Sequence, residues 1–211
     1  MSRIQAYRVA TGPSEVEYRI KASRFIATAG PISDLAEASD FRDRERKRFH
    51  DATHHVYGVV LHGGQERFDD DGEPSGTAGR PTLSAIERAG LSDVVVAVTR
   101  YFGGTKLGTG GLARAYGAAA DLALELVPVQ TVVQGRKVLL THSYSDTGLV
   151  ARLVEAIGVK RLHERYGDQV ELEVALPAVR VDRLRVEVAE ATAGRAALVE
   201  LVGEMLLPYD T

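Results

Sequence analysis

The most constraining stretch of this chain is a block of β-branched residues that leads directly into a glycine-rich segment. Residues 93–102 read DVVVAVTRYF, and residues 103–111 read GGTKLGTGG. A strand without alternating polar residues is buried on both faces of its sheet, and glycine permits turns that other residues resist. After the glycine-rich segment, apolar residues recur at helical spacing; they are Leu112, Ala115, Tyr116, Ala119, Leu122, Ala123 and Leu126. The sequence therefore predicts a strand–loop–helix unit built on a sheet that is covered on both sides.

The rest of the chain also alternates between strand and helix patterns. Residues 4–9 and 15–30 alternate apolar with polar residues and predict strands, and Asp34 with Glu37 has the spacing of a helix start. Beyond Pro128 and the polar VQGRK, the order strand, helix, strand, strand, helix, strand is typical of a ferredoxin-like βαββαβ domain. We therefore predict an α+β protein of two domains, residues 1–132 and 133–211.

Composition excludes several classes of protein. The chain has no cysteine, so disulfides and thiolate chemistry are absent. The net charge of −3 offers no overall attraction to nucleic acid or to a membrane surface, so any basic footprint must be local. Apolar runs fall short of the ~18–20 residues that span a bilayer. These features predict a soluble cytoplasmic protein without a membrane-spanning segment.

The glycine-rich segment favours an anion-binding loop. Arg100 precedes it, Lys106 lies inside it, and Arg114 follows in the helix, with Thr109 as a candidate helix cap. Backbone N–H groups at a helix start attract phosphate or carboxylate. The predicted anion-binding residues are Arg80, Arg100, Lys106, Gly108, Thr109, Gly110, Gly111 and Arg114. The alternative is that the glycines only allow a tight turn and close helix packing, as Gly117 suggests. The segment fits neither a P-loop nor a Rossmann fingerprint.

Residues 69–81, DDDGEPSGTAGRP, form an acidic segment that has two interpretations. Asp69, Asp70 and Glu73 could bind Mg²⁺ through water molecules. The preferred interpretation is that these carboxylates pair with arginines, the candidates being Arg80, Arg88 and Arg100.

A zinc site at HDATHH, with His50 and His54 as ligands, is disfavoured because the second histidine leads into a strand and no third ligand is evident. We therefore predict no metal and no cofactor.

A third feature is the basic helix face RDRERKRFH, residues 42–50, which could meet RNA phosphates. Acidic residues interrupt it, and most such runs are solvated helix faces. The chain has no tryptophan, so the aromatic candidates for base stacking near the glycine segment are Tyr101, Phe102 and Tyr116.

Three sequence blocks together resemble a known family. DATHH, DDGEPSGTAGRP and TRYFGGTKLGTGGLARAY resemble the signature of the IMPACT family, in the form of its bacterial, YigZ-type members. The resemblance covers about residues 15–127, with one departure at Thr105, where an aliphatic residue is more usual. It implies an N-terminal domain with the fold shared by a small-subunit ribosomal protein domain and GHMP-type kinases. The C-terminal part is similar to the last domain of elongation factor G.

The resemblance also implies a function and a polar surface. Eukaryotic members of the family are translational regulators, so it implies a translation-associated protein. The family motif adds a polar surface beside the glycine loop, made of His54, Asp70, Asp71, Glu73, Ser75, Thr77, Tyr101 and Phe102. The family brings no established chemistry for these groups.

We therefore expect a non-catalytic regulatory protein that binds RNA, the ribosome or a translation-associated protein. The alternative is an enzyme or sensor that binds a phosphorylated or otherwise anionic small molecule at the glycine-rich loop. A third alternative is a protein–protein adaptor.

Overall fold

The computed structural model describes residues 4–209, which form two compact units. The N-terminal unit comprises residues 7–130, and the C-terminal unit comprises residues 4–6 and 131–209. Each unit combines helices with a β-sheet, which confirms the α+β class. The domain boundary between residues 132 and 133 stays a prediction.

The N-terminal unit is built on a five-stranded antiparallel sheet. Its strands, in spatial order, are β2 (Ser14–Ile20), β3 (Ser23–Pro31), β7 (Val94–Tyr101), β4 (His54–Val60) and β5 (Glu66–Asp69). Outside this sheet, β1 (Ala6–Ala10) pairs in parallel with β6 (Leu91–Ser92). The glycine-rich segment follows β7, and it therefore starts from the centre of the main sheet.

Helices cover both faces of that sheet. They are α1 (Leu35–Arg48), α2 (Gly79–Ala89) and α3 (Thr109–Leu126). Val96 and Val98 of β7 belong to the apolar cluster that includes residues of α2 and α3. Val95 and Ala97 belong to the cluster on the α1 side. The prediction that this strand is buried on both faces is confirmed, since Val94 to Arg100 are all buried.

The starts and ends of two helices follow the sequence signals. The Asp34 carboxylate accepts hydrogen bonds from the N–H groups of Ala36 and Glu37, and α1 begins at Leu35, directly after Asp34, as predicted. Gly90 adopts a left-handed conformation with φ of 63° and ends α2.

The C-terminal unit has the strand and helix order predicted for it. Its elements are β8 (Val129–His142), α4 (Thr147–Ile157), β9 (Lys160–Tyr166), β10 (Val170–Pro177), α5 (Val181–Ala191) and β11 (Ala197–Pro208), with single 3₁₀ turns before each helix. The strands lie in the order β11, β8, β10, β9, and all neighbours are antiparallel. This is the ferredoxin-like arrangement, with α4 and α5 packed on one face.

Two local features of this unit depend on its tertiary structure. The polar VQGRK segment, residues 133–137, lies within β8, which begins at Val129 and buries Val133 and Gly135 along it. A side chain at Gly135 would place its Cβ only 2.6 Å from Leu207 Cδ1, so glycine here serves close packing within a strand. Asp146 occupies the N-cap position of α4, but its carboxylate bonds Ser143 and Arg195 and no backbone N–H of the helix start.

Candidate functional site

Asp70 organises the acidic segment from within. One carboxylate oxygen, Oδ2, accepts the backbone N–H of Gly76 at 2.8 Å. The other, Oδ1, accepts those of Ala78 at 3.0 Å and Gly79 at 2.8 Å. Because α2 begins at Gly79 and its N-cap residue makes no side-chain bond, Asp70 caps this helix from outside it.

The Asp71 carboxylate is also bonded to groups of the protein. It has a left-handed backbone with φ of 42°, its Oδ2 accepts the N–H of His55 at 2.6 Å, and its Oδ1 pairs with Arg46. Its own N–H donates to the carboxylate of Asp69 at 2.7 Å. The carboxylates proposed as Mg²⁺ ligands are therefore already bonded to protein donors, and the arrangement favours the interpretation that they hold the segment together.

Glu73 is the most enclosed carboxylate of the segment. Its Oε1 lies 2.5 Å from Arg100 Nη1 and accepts the Tyr116 hydroxyl at 2.7 Å. Burial and the neighbouring Glu73 carboxylate raise the pKa of Tyr116, so this hydroxyl remains a donor. His54 Nε2 lies 3.8 Å from the same oxygen, and its Nδ1 lies 2.7 Å from the carbonyl of Asp71. These contacts join the acidic segment to the end of β7 and to α3.

The arginines that follow the acidic segment lie elsewhere. Arg80 pairs with Glu66 and Glu87, and Arg88 pairs with Asp121. Of the three arginines expected to neutralise the acidic segment, Arg100 does so. Arg46 of α1 is a further partner that the sequence did not reveal.

The remaining members of the predicted polar surface differ in exposure. The Thr77 hydroxyl is buried and donates to the carbonyl of Pro74 at 2.6 Å, which closes a local turn. Ser75 is exposed at the tip of the segment. The exposed side chains of the acidic segment are those of Asp69, Pro74, Ser75 and Arg80.

Gly103 begins the glycine loop with a close backbone contact. A Cβ at this position would lie 2.0 Å from the carbonyl carbon of Ala22, in the turn between β2 and β3. The N–H of Gly103 faces the Ser23 hydroxyl at 3.3 Å, and Arg100 Nη2 lies 3.4 Å from the same oxygen. Ser23 and Ala22 are site neighbours that sequence reasoning missed, because they are distant in the chain and belong to no motif. Close packing thus explains this glycine.

The start of α3 is open. The N-cap is Gly108, with φ of 73° and no side-chain bond, so Thr109 is not the cap and that prediction was wrong. The first helical bond runs from the N–H of Leu112 to the carbonyl of Gly108. The N–H groups of Thr109, Gly110 and Gly111 precede that bond, as in any uncapped helix start.

Two cations lie at this loop and helix start. Lys106 and Arg114 are exposed, and within residues 4–209 neither forms an ion pair. Arg114 reaches back along the helix, since a Cβ on Gly110 would lie 3.5 Å from its Nη1. Phe102 is 45% exposed at the start of the same loop. An uncapped helix start, two cations without an ion pair among residues 4–209 and an exposed ring therefore lie within residues 102–114, which we name the loop edge.

The other predicted aromatic residues are less available. The Tyr101 hydroxyl donates to Asp51 at 2.8 Å, and the Arg24 guanidinium lies 4.2 Å from the ring centroid. Tyr116 is fully buried and packs edge-on against Phe25 with ring centroids 5.1 Å apart. Tyr116 therefore cannot stack on a base.

The basic face of α1 is largely neutralised inside the fold. Arg42 pairs with Asp43, Arg46 with the acidic segment, and Arg48 with Glu15. Arg44 and Lys47 are the exposed cations of this face without such pairing among residues 4–209. A strongly basic surface is thus not formed by this helix.

The structure separates the predicted site residues into two groups. The inner group comprises the enclosed pair Glu73 and Arg100, with His54 at its border, and the half-buried Asp70 and Asp71 of the same segment. The outer group is the loop edge, with Lys106 and Arg114. Among the residues that the structure describes, no cluster of histidine, aspartate and glutamate has the arrangement of a metal site. In that same range, no helix is both long enough and apolar enough to cross a membrane.

Known proteins place this architecture in a family. Residues 21–124 match the Impact N-terminal domain, and residues 140–195 match a domain of unknown function, DUF1949. The Escherichia coli (strain K12) protein described as "IMPACT family member YigZ" is 34% identical over 203 residues, 94% of this chain and 99% of that protein. The Bacillus subtilis (strain 168) "IMPACT family member YvyE" is 31% identical over 204 residues, 93% of this chain and 92% of that protein.

A solved structure is similar to this chain in fold and in sequence. It is described as "Crystal structure of an hypothetical protein", and it matches with a TM-score of 0.68 at 31% identity, covering 93% of this chain and 98% of that chain. The Thermus thermophilus "IMPACT family member in pol 5'region" is 40% identical over 158 residues, 75% of this chain and 86% of that protein. The order of blocks in the sequence, the fold and these relatives agree, and the chain belongs to the IMPACT family.

Proposed function

We propose that this protein is a non-catalytic, cytoplasmic RNA-binding regulator associated with translation, and that the loop edge is its contact surface for the RNA backbone. The observation that carries the proposal is the pair of unpaired cations, Lys106 and Arg114, beside the uncapped start of α3. The association with translation is taken from the family resemblance described above.

The chemistry of the loop edge fits single-stranded nucleic acid. Cationic side chains and free helical N–H groups both attract phosphate oxygens. An exposed aromatic ring such as Phe102 offers a surface on which a base can stack, and such stacking tolerates any sequence. Glu73 bonds both Arg100 at the end of β7 and Tyr116 in the second turn of α3. It therefore fixes the two elements between which the loop edge runs.

The test compares two double variants with the same change in net charge. Lys106→Ala/Arg114→Ala removes the loop-edge cations, whereas Arg183→Ala/Arg185→Ala removes two exposed arginines of α5 that already pair with carboxylates. Binding of a fluorescein-labelled single-stranded RNA and of purified ribosomes is measured over a salt series. Two lost phosphate contacts should make the slope of log K against log salt about 1.4 units less steep.

Either of two results would overturn this role. Equal losses in the two double variants would mean that binding reflects net charge alone. Undiminished binding by Lys106→Ala/Arg114→Ala would mean that RNA, if bound, contacts another surface.

The second candidate is a sensor or enzyme for a small anionic molecule. The observation that favours it is the enclosed Glu73 carboxylate with His54 Nε2 at 3.8 Å, since buried titratable groups cluster at functional sites. Calorimetry with inorganic phosphate and nucleoside monophosphates, in the absence of RNA, separates the two candidates. Saturable binding that Lys106→Ala/Arg114→Ala abolishes, together with no binding of RNA, would replace the first proposal by the second.

A further inference from the structure

The C-terminal unit contains a half-open pocket of about 380 Å³. It lies at the end of the sheet where β9 begins and where β10 and β11 end, since Lys160, Pro177 and Pro208 all line it. Its volume lies within the range of small-molecule sites, roughly 300–1,000 Å³. No part of the loop edge or of the inner group contributes to it.

The floor of the pocket is apolar. Val133, Ala175 and Leu207 form a packed cluster there, and each is less than a tenth exposed. Val174 and Leu176, the neighbours of Ala175 in β10, belong instead to the core shared with α4 and α5. The pocket therefore opens on the sheet face opposite the helices, because successive strand residues point to opposite faces.

Two cations border this apolar floor. Lys160 lies directly opposite Ala175 across the β9–β10 pair, which puts both side chains on the same sheet face. Arg180 Nη1 donates to the carbonyl of Ile157 at 2.8 Å, a single bond for a group that has five N–H donors.

Among the residues that the structure describes, the two cations have no acidic partner. Within residues 4–209, no carboxylate pairs with Lys160 or Arg180, and no acidic side chain lines the pocket. The one other half-buried arginine among the described residues of this unit, Arg136, pairs with Glu204 at 2.9 Å. A pocket with an apolar floor and two bordering cations that lack an acidic partner among residues 4–209 is matched to a ligand that brings both an apolar body and a negative charge.

We propose that this pocket binds a small monocarboxylate with an aliphatic or aromatic body, with the carboxylate between Lys160 and Arg180 and the body on Val133, Ala175 and Leu207. A planar carboxylate suits the remaining guanidinium donors, which form a fixed fork. Arg180 is already oriented by the Ile157 carbonyl, so its ordering costs little when the ligand binds.

The experiment follows the methyl NMR signals of Val133 and Leu207 in the full-length chain. Octanoate and phenylacetate are titrated in parallel with their neutral amides. The carboxylates should shift these signals saturably, and Arg180→Gln and Lys160→Gln should each weaken binding about tenfold. The control is Arg165→Gln, which removes an exposed cation from β9, the strand of Lys160. Arg165 does not line the pocket, so this change should leave the affinity unchanged.

A second variant keeps the test independent of the cations. Ala175→Val narrows the floor without changing charge, and it should weaken the binding of both octanoate and phenylacetate. Thermal unfolding confirms that each variant is folded. Absence of saturable shifts with either carboxylate would overturn the proposal. Equal affinity for acid and amide would overturn it too, as would equal losses in Arg165→Gln and Arg180→Gln.

Discussion

Glu73 and Arg100 form an ion pair that is almost wholly enclosed in the N-terminal unit, with 4% and 5% of their side chains exposed. The Tyr116 hydroxyl bonds the same carboxylate oxygen, so three elements of the fold meet at one atom. A buried charge without its partner is strongly destabilising, because the remaining ion has left water without compensation.

Glu73→Gln should therefore lower the free energy of unfolding by about 3–5 kcal/mol. The substitution keeps the shape of the side chain but leaves the Arg100 charge buried alone. Chemical denaturation followed by circular dichroism measures the change. The matched control is Asp121→Asn, which breaks an exposed pair with Arg88 and should cost less than about 1 kcal/mol. Similar losses in the two variants would contradict the assignment of Glu73 as a central support.

Asp70→Ala should destabilise the fold by about 1–2 kcal/mol, the scale of a lost helix cap. Three backbone N–H groups lose their acceptor, and two of them belong to the residues that start α2. Asp70→Asn keeps one carbonyl acceptor, so its free energy of unfolding should lie between those of the wild type and of Asp70→Ala. The same denaturation measurement applies, and hydrogen exchange of the amides at residues 76–79 reports the loss locally. Unchanged exchange there would show that Asp70 is not the cap.

Two glycines should respond in opposite ways to alanine. Gly103→Ala forces a Cβ to within 2.0 Å of the Ala22 backbone, and it should destabilise by at least about 1–3 kcal/mol. Gly117 lies in the middle of α3, where an added Cβ meets nothing nearer than 3.9 Å. Gly117→Ala should therefore stabilise by about 0.4–1 kcal/mol. Thermal unfolding of both variants tests the contrast, and a destabilised Gly117→Ala would restore the interpretation that close packing requires this glycine.

His55 should make stability depend on pH below neutrality. Burial, then the nearby Arg46 charge, lowers the pKa of His55 below its ordinary 6.5. The unfolded chain then binds a proton that the fold does not, so this contribution is present above pH 6.5 and is lost as pH falls through 6.5 towards the folded pKa. Stability is measured from pH 7.5 to about 5. His55→Gln should flatten the profile in that window, and an unchanged slope would exclude His55 as its source.

The elements were largely predictable because their signals are local. The run of valines before the glycines predicted the doubly covered strand, and the order of patterns after Pro128 predicted the ferredoxin-like arrangement. The start of β8 was not predictable in the same way. Its polar residues look like a linker, and the burial of Gly135 arises from Leu207, far along the chain.

The site was less predictable, because charge pairing depends on the tertiary structure. The sequence indicated that the acidic segment and the glycine loop adjoin, and contacts through Glu73 join the two. It could not indicate that Arg100 is enclosed while Lys106 and Arg114 are exposed, since all three flank the same motif. Arg46 was taken for part of a basic surface, but it is held by Asp71.

The use of Asp70 as a cap has a consequence for genetics. A change of about 1–2 kcal/mol can alter the amount of a protein in the cell several-fold, because chaperones and proteases act on the unfolded fraction. Substitutions at Asp70 should then lower the steady-state amount of the protein in cells, and raised expression should restore that amount. A loop-edge variant such as Lys106→Ala should instead accumulate to the normal amount.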